Sequence, residues 1–375
     1  MSRRWRALLG ACAASAFFAS AACDSGGGSG ASSAADARAL HQRLFVMDMH
    51  LDSILFTTLY GTDFSQPHPP PQGAEYFFKP PADLPGLLEG GTDAVWLGIV
   101  VFPLCEPQHC VDDARNTMRT ARRVIADNGD HMQLALTSAD IERIHQSGKM
   151  PALMGLEGAH GVGPDASNVN VLYEEGLRYI GLAHFTPNGY AGTNLLAALP
   201  NGGLTERGQE LIQRMNRLGM IVDLAHTHPD SIRDALAISE APMIVSHTGV
   251  RGVYDIFRNL SDDDMKAIAD KGGAIGVFFA SLWLAPGNES TVDTVIDHID
   301  HVVKTVGIDH VAIGSDFDGF VKLPDDLPSA KSLPVLTERL VARGYNEKQL
   351  AKLYGQNMLR VFRDVEQTAA RLRGS

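Results

Sequence analysis

Ala152-Leu153-Met154-Gly155-Leu156-Glu157 runs five apolar or small residues straight into a carboxylate. A short, unbroken apolar run is how a parallel strand reads when both of its faces are buried. A carboxylate directly behind such a strand is costly to bury unless it is paired or metal-bound. The pattern recurs along the chain. Leu44-Phe45-Val46-Met47 leads to His50 and Asp52, Met220-Ile221-Val222-Asp223-Leu224 to His226, and Met243-Ile244-Val245 to His247. In a (β/α)8 barrel the C-terminal ends of all the strands open into one mouth. Donors far apart in sequence would converge there.

The rest of the chain fits that architecture. Further strand-like runs at Ala94–Phe102, Tyr179–Ala183, Ala274–Phe279 and Val311–Gly314 bring the total to eight. They alternate with helical patterns such as Asp112–Asn128, Thr205–Leu218, Asp230–Ser239, Ser261–Lys271 and Val292–Val306. Thr205 and Ser261 read as N-caps. Alternating strands and helices predict parallel βαβ units, and eight of them predict a closed TIM barrel. Gly61–Pro85, with its run of prolines, reads as a long irregular loop. Helices at Glu347–Tyr354 and Gln356–Glu366 are expected to pack across the barrel exterior or base. At 375 residues and 45% hydrophobic composition, one large barrel accounts for the length.

The N-terminus reads as an export signal. Met1-Ser2-Arg3-Arg4-Trp5-Arg6 is basic, Ala7 to Ala22 is small and apolar, and Ser20-Ala21-Ala22-Cys23 follows. The last stretch resembles a bacterial lipobox, with Cys23 as the lipidation site, although Ser20 stands where a branched aliphatic residue is usual. Conventional secretory cleavage is the alternative. The expected organisation is a signal peptide over 1–22, a lipidated Cys and Gly/Ser-rich linker over 23–38, and the barrel over 39–375. A Gly/Ser-rich linker is a flexible tether, so the protein is expected as an exported lipoprotein, held to a membrane by its anchor alone and facing the periplasm or cell exterior. Cys105 and Cys110 can close as a disulfide in that oxidising setting; free thiols or half a metal site are the alternatives.

The formal net charge is −12, and removing the three arginines of residues 1–22, which hold no acids, takes it to −15. Basic residues are dispersed. No cluster is present to neutralise phosphates, which argues against a nucleic-acid partner.

The candidate donors differ in weight. His50-Leu51-Asp52 sets two ligands on one face of an extended segment, a weak motif alone. Glu157 can bridge two cations with its two oxygens, and Gly158 beside it allows close backbone approach. Its bland alternative is a rim salt bridge. His226 and His247 on successive strands, with an acid upstream, make a credible ligand pair. Asp316, directly behind the last strand in Gly314-Ser315-Asp316-Phe317-Asp318-Gly319, is placed to act as a general acid/base, or else as an N-cap or rim ion pair. Asp318 reads as orienting the turn, and His228 as a loop residue.

Together these segments resemble the membrane dipeptidase (renal dipeptidase) family, peptidase family M19, among the amidohydrolase-like barrels. The resemblance rests on Met47-Asp48-Met49-His50-Leu51-Asp52, Glu157-Gly158-Ala159-His160, Asp223-Leu224-Ala225-His226, Ser246-His247, Arg258-Asn259 and the Gly314–Gly319 segment, and it covers about residues 40–365. It implies a zinc-dependent metallo-dipeptidase with a binuclear Zn²⁺ site. His50 and Asp52 would hold one ion and His226 and His247 the other, with Glu157 bridging and a hydroxide between the metals. It also implies that His184 polarises the substrate carbonyl, Arg258 holds the terminal carboxylate, Asp316 transfers the proton, and the enzyme is a homodimer acting on dipeptides. Met49, Leu51 and Ala159 depart from the residues usual in the family, so the surroundings of the ligands differ here. Two other functions remain open: a hydrolase of the same fold acting on modified or cyclic peptides, lactams or lactones, and a lipid-tethered binding protein without catalysis.

Overall fold

The computed structural model describes residues 34–102, 105–196 and 202–374. The expected signal, Cys23 and most of the Gly/Ser linker lie outside the described residues. A helix at Ala34–His41 begins ahead of the expected domain start at residue 39. Among the described residues, no helix is long and apolar enough to cross a membrane.

Nine parallel strands are present among the described residues: β1 (Met47–Leu51), β2 (Ala94–Val100), β3 (Met132–Leu134), β4 (Met150–Glu157), β5 (Leu177–Gly181), β6 (Ile221–Asp223), β7 (Ile244–Thr248), β8 (Ala274–Val277) and β9 (Val311–Ile313). Eight run in the order β1-β2-β4-β5-β6-β7-β8-β9, and β3 pairs only with β4. Ala152 pairs with Val95 of β2 and also with Leu134 of β3, so β3 occupies the flank of β4 that β5 takes further along. The TIM barrel expected from sequence is present, with this short ninth strand as an addition.

Residues past β9 close the ring against β1. The Asp52 amide donates to the Phe317 carbonyl at 2.7 Å, and the Asp316 amide to the His50 carbonyl at 3.1 Å. Asp48 reinforces the seam by accepting from the Ser315 amide at 2.9 Å. The first strand therefore starts at Met47 rather than Leu44, and the polar Asp48 and His50 lie within it. His247 likewise falls inside β7, and Glu157 is the last residue of β4.

Strand periodicity sorts the side chains into two layers. Val95, Leu97 and Ile99 of β2 pack outward with helix residues Ala114, Met118 and Ala121. Trp96 points the other way and packs with Leu153, Tyr179 and Phe362. The C-terminal segment covers the base as one run, a π-turn at Lys352–Gln356 leading into a helix at Asn357–Gly374, rather than as two separate helices. The Phe362 ring meets the Trp96 ring edge-on at 5.6 Å. Thr205 and Ser261 cap their helices by accepting from the amides of Gly208 and Asp264. His228 lies in a loop as expected, and from there it also caps a helix by accepting from the Asp230 amide. The stretch Gly61–Pro85 is not wholly irregular: it contains a 3₁₀ turn at Gly73–Phe77 and the start of a helix at Leu84–Glu89.

Candidate metal centre

Strand ends and closure bonds bring the expected donors together. Glu157 Oε1 lies 3.1 Å from His226 Nε2, 3.5 Å from His247 Nε2 and 3.8 Å from His50 Nε2, while Oε2 faces His184 Nε2 at 3.4 Å. Asp52 Oδ1 lies 3.3 Å from His50 Nε2. Asp52 occupies the N-cap position of the helix Ser53–Tyr60 yet makes no capping bond, so its carboxylate is left to the site. All of these side chains are buried, as are Asp316 and Arg258.

Three donor groups have their atoms mutually within 4.8 Å: His50, Glu157 and His247; Glu157, His184 and His226; and His50, Asp52 and Asp316. His226 and His247, joined by the resemblance, fall in different groups, yet their Nε2 atoms stand 2.9 Å apart and both face Glu157 Oε1. Glu157 is shared by two of the groups, as a bridging ligand would be.

Outer contacts fix the imidazoles. Ser246 Oγ donates to Asp223 Oδ2 at 2.7 Å, so it accepts from His247 Nδ1 at 2.9 Å. That leaves His247 Nε2 as a bare lone pair. Arg258, which can only donate, points Nη2 at His226 Nε2 from 3.2 Å, so this nitrogen also carries a lone pair. The two lone-pair nitrogens are 2.9 Å apart. Two lone pairs and a carboxylate oxygen at such separations repel, and a shared cation relieves them. Buried His50 Nε2 and Asp52 Oδ1 also lack a hydrogen-bond partner. The residues fit a metal centre.

Electrostatics agree. Burial, then nearby positive groups, push His184, His226 and His247 well below the usual imidazole range, leaving them in the neutral form that ligates. Burial and then Asp52 push Glu157 well up and Asp316 to about 7. At His50 burial works downward, but Asp52 and Glu157 outweigh it and raise the ring to about 10. The crowded carboxylates thus favour positive charge at their centre.

Several contributors are not apparent from donor spacing. His50 Nδ1 lies 2.7 Å from the Tyr179 hydroxyl, which orients that ring. A Cβ at Gly98 would stand 2.0 Å from Asp52 Oδ1, and one at Gly155 would stand 1.9 Å from the Tyr179 ring. A glycine inside a strand is the available signal for such close approach.

The donors lie at the floor of a cavity of about 330 Å³, with Asp52, Glu157, His184, His226 and Asp316 in its lining. Arg258 is only 1% exposed and sits behind His226 rather than in that lining. A recess of about 570 Å³ opens near Phe45 and Leu359. Its charged groups pair with one another, Arg363 with Glu142 and Lys352 with Asp309, so the chemistry belongs to the mouth. Cys105 and Cys110 are joined as a disulfide with Cα atoms 5.4 Å apart.

The sequence profile of the family described as "Membrane dipeptidase (Peptidase family M19)" matches residues 34–375. The chain belongs to that family. This M19 peptidase is 32% identical to "Dipeptidase tcpJ" of Claviceps purpurea over 313 residues, 79% of this chain and 73% of that protein. It is 37% identical over 217 residues to the "Uncharacterized dipeptidase C3A11.10c" of Schizosaccharomyces pombe, spanning 57% of this chain and about half (53%) of that one. Its fold matches the crystal structure of "the probable dipeptidase PvdM from Pseudomonas aeruginosa" with a TM-score of 0.80, 24% identity and coverage of 90% and 99% of the two chains. Like its family, the M19 peptidase is a hydrolase of the dipeptidase class.

Proposed function

We propose that this chain hydrolyses dipeptides with a free C-terminal carboxylate, using two zinc ions held by His50, Asp52, Glu157, His226 and His247. The observation that carries this reading is the knot of donors around Glu157 Oε1, where the lone-pair nitrogens of His226 and His247 stand 2.9 Å apart. Zinc ions bound there would supply Lewis acidity toward the scissile carbonyl and would acidify water near neutral pH.

The side chains supply the rest. Asp316, raised to about 7 by burial and Asp52, can take a proton from the attacking water and return it to the leaving amine. His184, held neutral by burial, can donate to the carbonyl oxygen as that atom gains charge. Arg258 stays cationic at neutral pH even though burial lowers it to about 10. Its Nε and Nη1 lack a protein partner, and a guanidinium fork can hold a carboxylate through two parallel bonds. A carboxylate that reaches past His226 to this buried guanidinium would limit the substrate to one residue beyond the scissile bond. The reading extends to location: an enzyme exported and tethered at Cys23, facing the periplasm or cell exterior. The Cys105–Cys110 disulfide supports an oxidising compartment.

Amino-acid release from a small dipeptide panel, measured with and without chelator, tests the reading. Chelator-sensitive release is expected, and its absence contradicts the reading. Arg258→Ala should raise KM sharply for free dipeptides and leave carboxamide-capped ones little changed. Equal effects on both would remove Arg258 from the carboxylate.

A further inference from the structure

The cavity above the metal centre is apolar on more than one side, but one side carries a contiguous aromatic cluster. Toward β6 and β7 stand His226 and, behind it, the Arg258 guanidinium, flanked by Phe185 past β5 and by Leu282 and Trp283 past β8. Toward β1, β2 and β9 the lining includes Leu55, Tyr76, Phe77, Phe102 and Phe320 together with Asp52 and Asp316. In the ring order β1-β2-β4-β5-β6-β7-β8-β9, the β1/β2 rim is diametrically opposite the β6/β7 rim.

This apolar side is a built surface. The Phe77 ring lies 4.5 Å from Tyr76 and 6.3 Å from Phe320, and Phe320 lies 5.2 Å from Phe56 beneath it. The turn that presents Tyr76 and Phe77 is fixed by a capping box between Gln72 and Glu75. Buried Asp318 fastens the far end of the same segment through the Ala82 amide at 3.1 Å and the Ser53 hydroxyl. The Cys105 amide donates to the Phe102 carbonyl at 3.0 Å, and Cys105 is tied to Cys110 by the disulfide. Even so, Phe77 is 43% exposed and Phe102 55% exposed. Large apolar side chains held open around a concave site, rather than folded into the core, mark binding area.

We propose that this aromatic wall selects the amino-terminal residue of the substrate, favouring a large apolar and above all an aromatic side chain. The inference rests on the dipeptidase reading and on Arg258 as the carboxylate's partner. With the carboxylate at the β6/β7 rim and the scissile carbonyl above Glu157, the chain direction carries the amino-terminal residue across to the β1/β2 rim. Two extended residues span roughly 7 Å. The single lysine in the lining, Lys322, is already 3.1 Å from Asp325. A charged amino-terminal side chain would lose its hydration at the wall without gaining a partner.

The experiment compares kcat/KM of the zinc-loaded enzyme for phenylalanyl-alanine, alanyl-alanine, alanyl-phenylalanine, glutamyl-alanine and lysyl-alanine. Phenylalanyl-alanine should exceed alanyl-alanine by roughly 10- to 100-fold, with the two charged substrates slowest. Phe77→Ser and Phe102→Ser change exposed positions, and thermal melting checks that both variants fold. In each, the ratio of phenylalanyl-alanine to alanyl-alanine should fall several-fold, while the ratio of alanyl-phenylalanine to alanyl-alanine stays nearly constant. Equal wild-type rates for the first two substrates, or ratios unmoved in both variants, overturn the proposal and leave the dipeptidase reading standing. Failure to cleave any of the five overturns both.

Discussion

The two ends of the barrel are built on opposite terms. At the base, Met47, Trp96, Leu153 and Tyr179 fill the ring and pack against Phe362 of the C-terminal helix. At the mouth, His50, Asp52, His184, His226 and Arg258 keep buried polar atoms without a protein partner. The backbone divides in the same way. Among the described residues, the non-glycine residues with positive φ are His226, Asn288, Asp316, Asp318 and Phe320, and all five lie in or directly behind the cavity wall. Such conformations cost on the order of 1–3 kcal/mol each and persist only where the surroundings enforce them. The lesson is a division of labour, in which a well-packed base holds the ring shut while the mouth keeps its donors in costly states ready for cations and substrate.

Paired substitutions can break that comparison. The largest expected effect is on catalysis: Glu157→Gln should lower kcat/KM on the order of 10³-fold. Its metal-free melting temperature should stay level or rise, because a buried carboxylate crowded by Asp52 has been neutralised. Trp96→Ala should do the reverse, costing about 3–5 kcal/mol of stability while the remaining folded enzyme keeps near-normal turnover. Melting curves and rates per folded molecule check both, and a Trp96 variant with full stability would undo the contrast.

A smaller effect sharpens the picture of the scaffold behind the mouth. His298 accepts from the Val250 amide at 2.9 Å, and its Nε2 meets the Leu284 carbonyl at 3.0 Å, tying together the loops after β7 and β8. Burial lowers its pKa from 6.5 to about 4. Between those values the unfolded chain binds a proton that the fold refuses, so stability falls as pH falls, by at most about 1.4 kcal/mol per pH unit. His298→Gln should flatten the slope of melting temperature against pH over that window. An unchanged slope would show that this ring does not set it.

The donors were legible in the sequence because each follows or ends an apolar run, as Glu157 does after Leu156. What the sequence hid has physical reasons. Met132–Leu134 is a three-residue strand with a polar centre and two partly exposed residues, too short for any periodicity. The first strand was read too early because Leu44-Phe45-Val46 is apolar, whereas the actual strand holds Asp48, an acid tolerated there because closing backbone amides bond it. The proline-rich stretch before Pro85 looked irregular, yet its 3₁₀ turn carries Tyr76 and Phe77 to the cavity. The neighbouring of His226 and His247 follows from their places on successive strands, whereas the stacking of His50 on His247 at 4.1 Å lies beyond spacing, since it depends on how strand ends converge around a closed ring.

Metal stoichiometry distinguishes a binuclear centre from a merely polar barrel mouth. Metal-stripped protein dialysed against buffered zinc and assayed by elemental analysis should take up two ions per chain, fewer in Glu157→Gln, with peptidase activity returning as the sites fill. Uptake of no ion, or full hydrolysis by the stripped protein, would contradict the account.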